Sequence, residues 1–553
     1  VFAGCIGEIP RDKVEKESLP GDFIVAVGGR TGRDGIHGAT FSSEALHEES
    51  ETVDAAAVQI GDPITEKKVL DILIEARDGG LFRSVTDCGA GGFSSAVGEM
   101  GEGCGAWVDL SAAPLKYPGL SYWEIWISEA QERMVFAVPP ECLEELEELC
   151  RLHEVEATSL GTFTDTGRLV LEWEGETVAD LPMEFLHGGV PQPERSALWQ
   201  DPGLGSTPWP DHLDEEALLL KALAHPSVVS KEWVVRQYDH EVQGGTVLKP
   251  YQGSQGRGPG DGTVVKPDPG RPEGVAIGCG LAVRISELDP WAGAACAVDE
   301  AVRNVVVAGG NPHRIALLDN FCWGDCRKPD RLGSLALAAE GCHDAALAFG
   351  APFISGKDSL NNEYRVGAEE HPIPPTLLCT AVAPLADTAK AVSTPLQKEG
   401  NLRVLLGVTL GDGGASVASD LLELPDSKPP RPDLEAAPTL VDALARAIQN
   451  DLVAAAHDLS EGGLAVAASE MVLGSSLGIL LDPERAPALE TLPRAALLFS
   501  ETPTRFLLEV DPENLDTLDG LFRTLPWRTI GEVVSKAGVQ FVNGPFLDTQ
   551  RLA

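Results

Sequence analysis

The chain is short of positive charge. Its 553 residues carry 42 lysines and arginines against 85 aspartates and glutamates, a formal charge of −43. A surface of that sign repels phosphate backbones and anionic headgroups, which argues against a general nucleic-acid surface or attachment to anionic lipid. It does not exclude one small phosphorylated ligand, because a local basic or glycine-rich pocket can oppose the global field. Long apolar runs are missing too, with no stretch approaching the roughly 20 residues of a bilayer span. The 11 cysteines are scattered, without a C-x-x-C pair, so neither a disulfide framework nor a zinc site is expected. Cys322 and Cys326 read as small buried residues, and reduced thiols point to the cytoplasm. Cys104 and Cys279 lack the His-Glu partners of a glutaminase site, so any amide nitrogen used here comes from elsewhere.

A P-loop is also absent. Its nearest approach is APFISGKDSLNNEY (351–364), but five residues separate Gly350 from Gly356-Lys357 where the pattern needs four. Asp358 stands where a hydroxyl should hold magnesium, and Pro352 removes a backbone N–H from the would-be cradle. The stretch reads instead as a strand running into a polar loop.

What the chain does contain is a repeat. A length of 553 residues predicts three or four domains. SVTDCGAGGFSSAVGEM (84–100) aligns with AAHDLSEGGLAVAASEM (455–471), setting Asp87 on Asp458, Gly91 on Gly462 and Glu99 on Glu470, each pair 371 residues apart. WISEAQERMVFAV (126–138) aligns with LFSETPTRFLLEV (498–510), setting Ser128-Glu129 on Ser500-Glu501 and Arg133 on Arg505. Each copy opens on an apolar strand, FIVAVGG (23–29) and RVLLGV (403–408). Two α/β domains of one type are therefore expected, 1–190 and 393–553. Between them lie a proline- and glycine-rich linker, 191–214, and a different domain, 215–392. That middle domain predicts a helix at 215–225, a glycine-rich excursion at 243–267, a strand at 274–283 and an amphipathic helix at 294–310. A strand at 314–321, a helix at 333–350 and a strand at 351–355 follow.

Several polar clusters sit at predicted strand ends, where ligands of α/β proteins bind. Asp87 precedes a glycine turn and a helix start, a setting suited to an anion or to magnesium. In the second copy Glu461 replaces Ala90, which predicts that the first copy serves ligand and the second is mainly structural. GGRTGRDGIHGATFSS (28–43) offers Arg30 and Arg33 as phosphate clamps, with His37 as a weaker candidate; a surface loop with solvated arginines fits equally. AVQIGDPITEKK (57–68) predicts a strand-like start carrying Gln59, then a capped helix. In ISEAQER (127–133) an extended chain would turn Glu129, Gln131 and Arg133 one way. Asp319-Asn320 and Gly356–Ser359 end two strands of the middle domain and predict a nucleotide or metal site there.

Taken together, GGRTGRDGIHGATFSS, VQIGDPITEK, TDCGAGGFSSAVGEM, ISEAQERM, YDHEVQGGTVLKP, LLDNFCWGD and ISGKDSLNNEY resemble the small-type phosphoribosylformylglycinamidine synthases of purine biosynthesis, in order and along nearly the whole chain. The resemblance implies a mixed α/β (α+β) fold of duplicated aminoimidazole-ribonucleotide-synthetase-like units, here in the order C-type, N-type, C-type. The implied reaction joins formylglycinamide ribonucleotide, ATP and ammonia to give formylglycinamidine ribonucleotide, ADP and phosphate. Mg2+ is implied as cofactor, and a glutaminase subunit and a small bridging subunit as partners. By motif, Gln59, Glu129, Ala130, Gln131 and Ser359 would contact substrate, Asp319 and Gly356 would contact ATP, and Asp87 would bind magnesium. Lys357 occupies a position where many members carry a metal-ligating asparagine, and it is a poor ligand. The family's catalytic histidine is expected in an N-type domain upstream of Val1, so that the chain as given reads as a fragment unable to complete the reaction. Two alternatives fit the sequence: another ATP-dependent synthetase or kinase of the superfamily, and a non-catalytic scaffold. A reading frame upstream of Val1 with such a histidine discriminates the enzyme from the scaffold.

Overall fold

The structure is a computed structural model that describes residues 4–38, 57–237, 240–367 and 369–553. It divides into two compact units, Val1–Glu194 with Glu363–His371, and Arg195–Asn362 with Pro372–Ala553.

The first unit is built on β1 (Phe23–Gly28), α1 (Pro63–Gly79), β2 (Ser84–Asp87), α2 (Phe93–Met100), β3 (Ala106–Asp109), α3 (Tyr122–Ile127), β4 (Arg133–Val138), α4 (Leu143–Leu152), β5 (Ala157–Phe163), β6 (Arg168–Trp173), β7 (Glu176–Pro182) and α5 (Met183–Gly188). Its seven strands run β2-β4-β1-β5-β3-β6-β7. Ile24 and Ala26 face one core, with Phe93, Val97 and Leu160, while Val25 and Val27 face another, with Ile72, Phe136 and Leu146. The period-2 alternation of β1 thus supplies both faces of one sheet, which is why its sequence is apolar throughout.

In the second unit, α6 (Glu215–Leu223) precedes β8 (Thr246–Leu248), β9 (Gly262–Val265), β10 (Gly274–Leu281), α7 (Val283–Leu288), α8 (Pro290–Val307), β11 (Ala316–Cys322), α9 (Pro329–Phe349), β12 (Phe353–Ser359) and β13 (Thr376–Leu385). Six strands pair in the order β12-β11-β13-β10-β9-β8. Then come β14 (Leu402–Leu406), α10 (Ala437–Gln449), β15 (Ala455–Asp458), α11 (Gly463–Leu473), β16 (Gly478–Leu481), α12 (Arg494–Phe499), β17 (Phe506–Val510), β18 (Trp527–Val534), β19 (Gly538–Phe541), β20 (Phe546–Asp548) and α13 (Thr549–Leu552). Their sheet order, β15-β17-β14-β18-β16-β19-β20, repeats that of the first unit strand for strand.

The repeat reaches single hydrogen bonds. Arg133 donates from Nε to Ala130 O (2.8 Å), from Nη1 to Thr31 Oγ1 (2.9 Å) and from Nη2 to Ser128 O. Arg505 donates to Thr502 O (2.9 Å), Thr409 Oγ1 (3.1 Å) and Ser500 O (2.6 Å) in the same order. A register shift interrupts β1 against β5 at Ile24/Val25, and β14 against β18 at Arg403/Val404.

Four expectations need correction. Residues 57–62 form no strand, because Asp62 caps α1 through the Thr65 N–H and Pro63 opens the helix. The helix expected to be amphipathic at 294–310 is α8, buried on nearly every side, because it lies between its own sheet, α9 and the second repeat. The glycine-rich excursion 243–267 contains strands β8 and β9. The even alternation of 127–133 is broken, since Glu132 sits at φ 58° and regular strand begins only at Arg133. The segment 195–212 has no regular secondary structure but is tied down by Leu198 N–H to Pro329 O (2.8 Å) and Trp209 Nε1–H to Gly411 O (2.7 Å).

Candidate active site

In the first unit the site forms where β2 ends. Asp87 is exposed there and its carboxylate accepts no hydrogen bond from any described residue. The chain then turns through Gly91 and Gly92, both at positive φ. At Gly92 a Cβ would lie 1.9 Å from Ser128 O, so only glycine lets the turn close onto the 128–131 loop. Gly92→Ala is therefore expected to lower the thermal midpoint by several degrees, about 1–3 kcal/mol of backbone strain, measured by calorimetry.

That closure positions Glu129, whose side chain is nearly buried. Its carboxylate accepts from Gln59 Nε2 (2.8 Å) and from the Gly91 N–H (3.1 Å). Gln131 turns its amide back onto Glu129 O (3.0 Å). Ala130 is fully buried; its N–H goes to Ser128 Oγ and its carbonyl to Arg133, so it shapes the loop. Gln59, Glu129 and Gln131 are thus brought together. The two candidate clamps are each held by a carboxylate at the surface: Arg30 Nε bonds Glu156 (2.7 Å) and Arg33 Nε bonds Glu124 (2.7 Å). Arg33, then the Ser121 N–H, hold the Glu124 carboxyl down at about 2. His37 is exposed at φ 62°; of its motif, 39–43 lies outside the described residues.

In the second unit, β11 and β12 pair in parallel, with Asp319 opposite Gly356, Asn320 opposite Lys357 and Cys322 opposite Ser359. A Cβ on Gly356 would sit 2.1 Å from Asp319 Oδ1, so the aspartate lies across the bare backbone of the neighbouring strand. Burial, then the charge of Asp358, raises the Asp319 carboxyl above the usual range. Lys357 Nζ bonds the buried Ser359 Oγ (2.5 Å), two residues along. Strand alternation therefore puts Asp319, Gly356 and Asp358 on one face and Lys357 with Ser359 on the other. Gly350, the first glycine of the rejected P-loop, is the left-handed cap of α9. Gly356→Ala should push Asp319 off the strand and cost about 1–3 kcal/mol, measured by calorimetry.

The second unit also holds a buried ion network. Arg303 on α8 pairs with Asp299 one turn away and with Asp458 through Nε (3.1 Å) and Nη2 (2.9 Å). Asp299 also accepts from Thr504 Oγ1 (2.6 Å). His457 bridges Asp261 (2.5 Å) and Glu470 (2.9 Å). Only the i,i+4 spacing of Asp299 and Arg303 hinted at this, and solvated helix pairs share that spacing. Asp458 is the repeat counterpart of Asp87, so the carboxylate left unpartnered in one copy is occupied by an arginine in the other.

Three comparisons with known proteins bear on this geometry. Residues 20–174 and 398–542 match the AIR synthase related protein C-terminal domain, and 259–383 match the corresponding N-terminal domain. The phosphoribosylformylglycinamidine synthase subunit PurL of Methanothermobacter thermautotrophicus is 37% identical over 534 residues, 95% of this chain and 72% of the relative. The chain belongs to the PurL family. The PurL of Thermococcus sibiricus is 36% identical over 529 residues, 94% of this chain and 71% of the relative. Among solved structures, Thermotoga maritima PurL complexed with FGAR aligns at TM-score 0.67 and 24% identity, over 94% of this chain and 72% of that one. The same PurL complexed with ATP aligns at 0.64 and 22% identity, over 95% and 73%, and these likenesses show the shared PurL fold. The family comprises ligases of purine biosynthesis that act as subunits. No helix among the described residues is long and apolar enough to cross a membrane.

Proposed function

We propose that this chain supplies the synthetase sites of an enzyme converting formylglycinamide ribonucleotide, ATP and ammonia to formylglycinamidine ribonucleotide, ADP and phosphate. The observation that carries this reading is the near-buried Glu129 carboxylate, gripped by Gln59 and the Gly91 N–H at the end of β2 inside the family's motif. A fixed carboxylate flanked by two side-chain amides suits recognition of a neutral formamido-amide, which presents N–H donors and a carbonyl acceptor. Within the other unit, Gly356 leaves the strand surface bare for a nucleotide, with Asp319 beside it, while Ser359 and Lys357 lie on the opposite face of that strand.

In the reaction the substrate amide oxygen attacks the γ-phosphorus and ADP leaves. Ammonia then adds to the activated carbon and phosphate departs. The part of Glu129, Gln59 and Gln131 is to orient the amide, and that of Lys357 is to oppose negative charge as the phosphoryl group moves.

Mg2+ fits the donor set. Within the first unit Asp87 offers a carboxylate that accepts no hydrogen bond from any described residue, and within the second Asp319, disfavoured as an anion by burial and by Asp358, would be relieved by a divalent cation. Such an ion would neutralise the nucleotide phosphates. Lys357 contributes no ligand. The ammonia source we assign to a glutaminase subunit, joined through a small bridging subunit in the cytoplasm; a T. maritima structure described as PurLQS aligns with this chain at TM-score 0.65 and 22% identity. The test is ADP release by the complete gene product given the ribonucleotide, ATP, magnesium and ammonium. Release that depends on both the ribonucleotide and ammonium supports the reading, and release indifferent to the ribonucleotide overturns it.

The second repeat is read as structural. There Glu501 takes the place of Glu129 and accepts from Gly462 N–H and Val417 N–H, both at 2.8 Å. Burial, then the charge of Glu461, pushes the Glu501 carboxyl up to about 8. A carboxyl raised on folding holds its proton in the native state. Its contribution to stability is thus complete below about pH 4.5 and is lost as pH rises to about 8. Glu501→Gln is expected to flatten the pH dependence of the denaturation midpoint across that window, measured by urea titration.

A further inference from the structure

The two repeats differ in what lies on one face. In the second copy, α6 packs on α11 and α13, and its Leu218, Leu219 and Ala222 share one core with Val466, Leu498, Phe541, Leu547 and Leu552. Arg494 at the start of α12 fixes the near end by bonding both carboxylate oxygens of Glu215. In the first copy the same face is an open groove of about 570 Å3, lined by Ser95, Trp126, Leu171, Leu181 and Leu186 with Trp123 at its edge. The correspondence is set by register: Leu181 pairs with Leu169 as Leu547 pairs with Val539. Trp123 is 47% exposed, whereas Ala495, its counterpart, is 3% exposed.

We propose that this groove seats an amphipathic helix of the same polypeptide, the repeat counterpart of Glu215–Leu223, lying outside residues 1–553. The chain spans 72% of a curated relative's length, so the family's polypeptides have residues to supply it. The cover is not a copy of α6 in every respect. Tyr122 stands where Arg494 does, so no cation awaits a first-turn carboxylate, and exposed Glu99 at the groove favours a basic residue on the helix. A ridge of apolar residues at i, i+1 and i+4 is retained, since the wall it meets is leucine and tryptophan.

The test places the photo-cross-linker p-benzoylphenylalanine at Trp123 in the complete gene product, with a control at Leu489, which is 80% exposed. The expected result is an intramolecular cross-link from position 123 to a helical peptide of the same chain outside 1–553, and none from position 489. Amide exchange over Phe93–Met100 should be at least tenfold slower in the complete product than in residues 1–553 alone. A cross-link to another protein or to a second copy, or equal exchange in both forms, would overturn the proposal.

Discussion

Replacing Arg303 with methionine should cost about 3–5 kcal/mol of unfolding free energy, enough to lower the denaturation midpoint of the second unit sharply. Arg303 is 3% exposed, and Asp299 and Asp458 are 0% and 4% exposed. Burial alone would make Arg303 easier to deprotonate, but the charges of Asp299 and Asp458 outweigh it and hold the group charged. Without it, among the described residues Asp299 keeps Thr504, and Asp458 keeps Ser460 and a more distant His457 (3.8 Å), so a buried carboxylate must be protonated or solvated. The triple replacement Arg303→Met, Asp299→Leu, Asp458→Asn should recover most of the loss, because the cost lies in the orphaned charges. A single replacement that shifts the urea midpoint by less than 1 kcal/mol equivalent would show that water reaches the network.

The second large effect separates the repeats. Glu129→Gln should reduce kcat/KM by about 10²–10³-fold, because it replaces a charged acceptor at the proposed amide site with a group that must both donate and accept. Glu501→Gln, at the same position of the other copy, should leave kcat/KM within about twofold at pH 7. Both changes are nearly isosteric, so folding is a poor explanation for a difference. Steady-state ADP release at saturating ammonium compares them directly. Equal losses in both variants would remove the assignment of chemistry to the first repeat.

Much of the candidate site is legible in the sequence because its residues lie in contiguous motifs at strand ends. Asp87, Glu129, Asp319 and the Gly356–Ser359 run were each singled out from the sequence, and the structure sets Glu129 against Gln59 although 70 positions separate them. Less legible was the direction of each side chain. The alternation assumed for Glu129, Gln131 and Arg133 failed because one left-handed residue, Glu132, resets the register before the strand. The arginines of the glycine loop looked like phosphate clamps, but sequence could not reveal that Glu156 and Glu124 reach them from distant segments.

By itself the sequence determined the repeat, the apolar strands that open each copy, and a summed charge that argues against a general nucleic-acid or anionic-lipid surface, because these depend on local pattern and composition. Tertiary structure decided which copy keeps its strand-end aspartate unpartnered. Asp87 and Asp458 stand in matching motifs, yet only Asp458 meets an arginine, and that arginine comes from a helix 155 residues away. Burial is a property of what packs around a residue, and so it alone turned α8 from an expected amphipathic helix into the charged centre of a core.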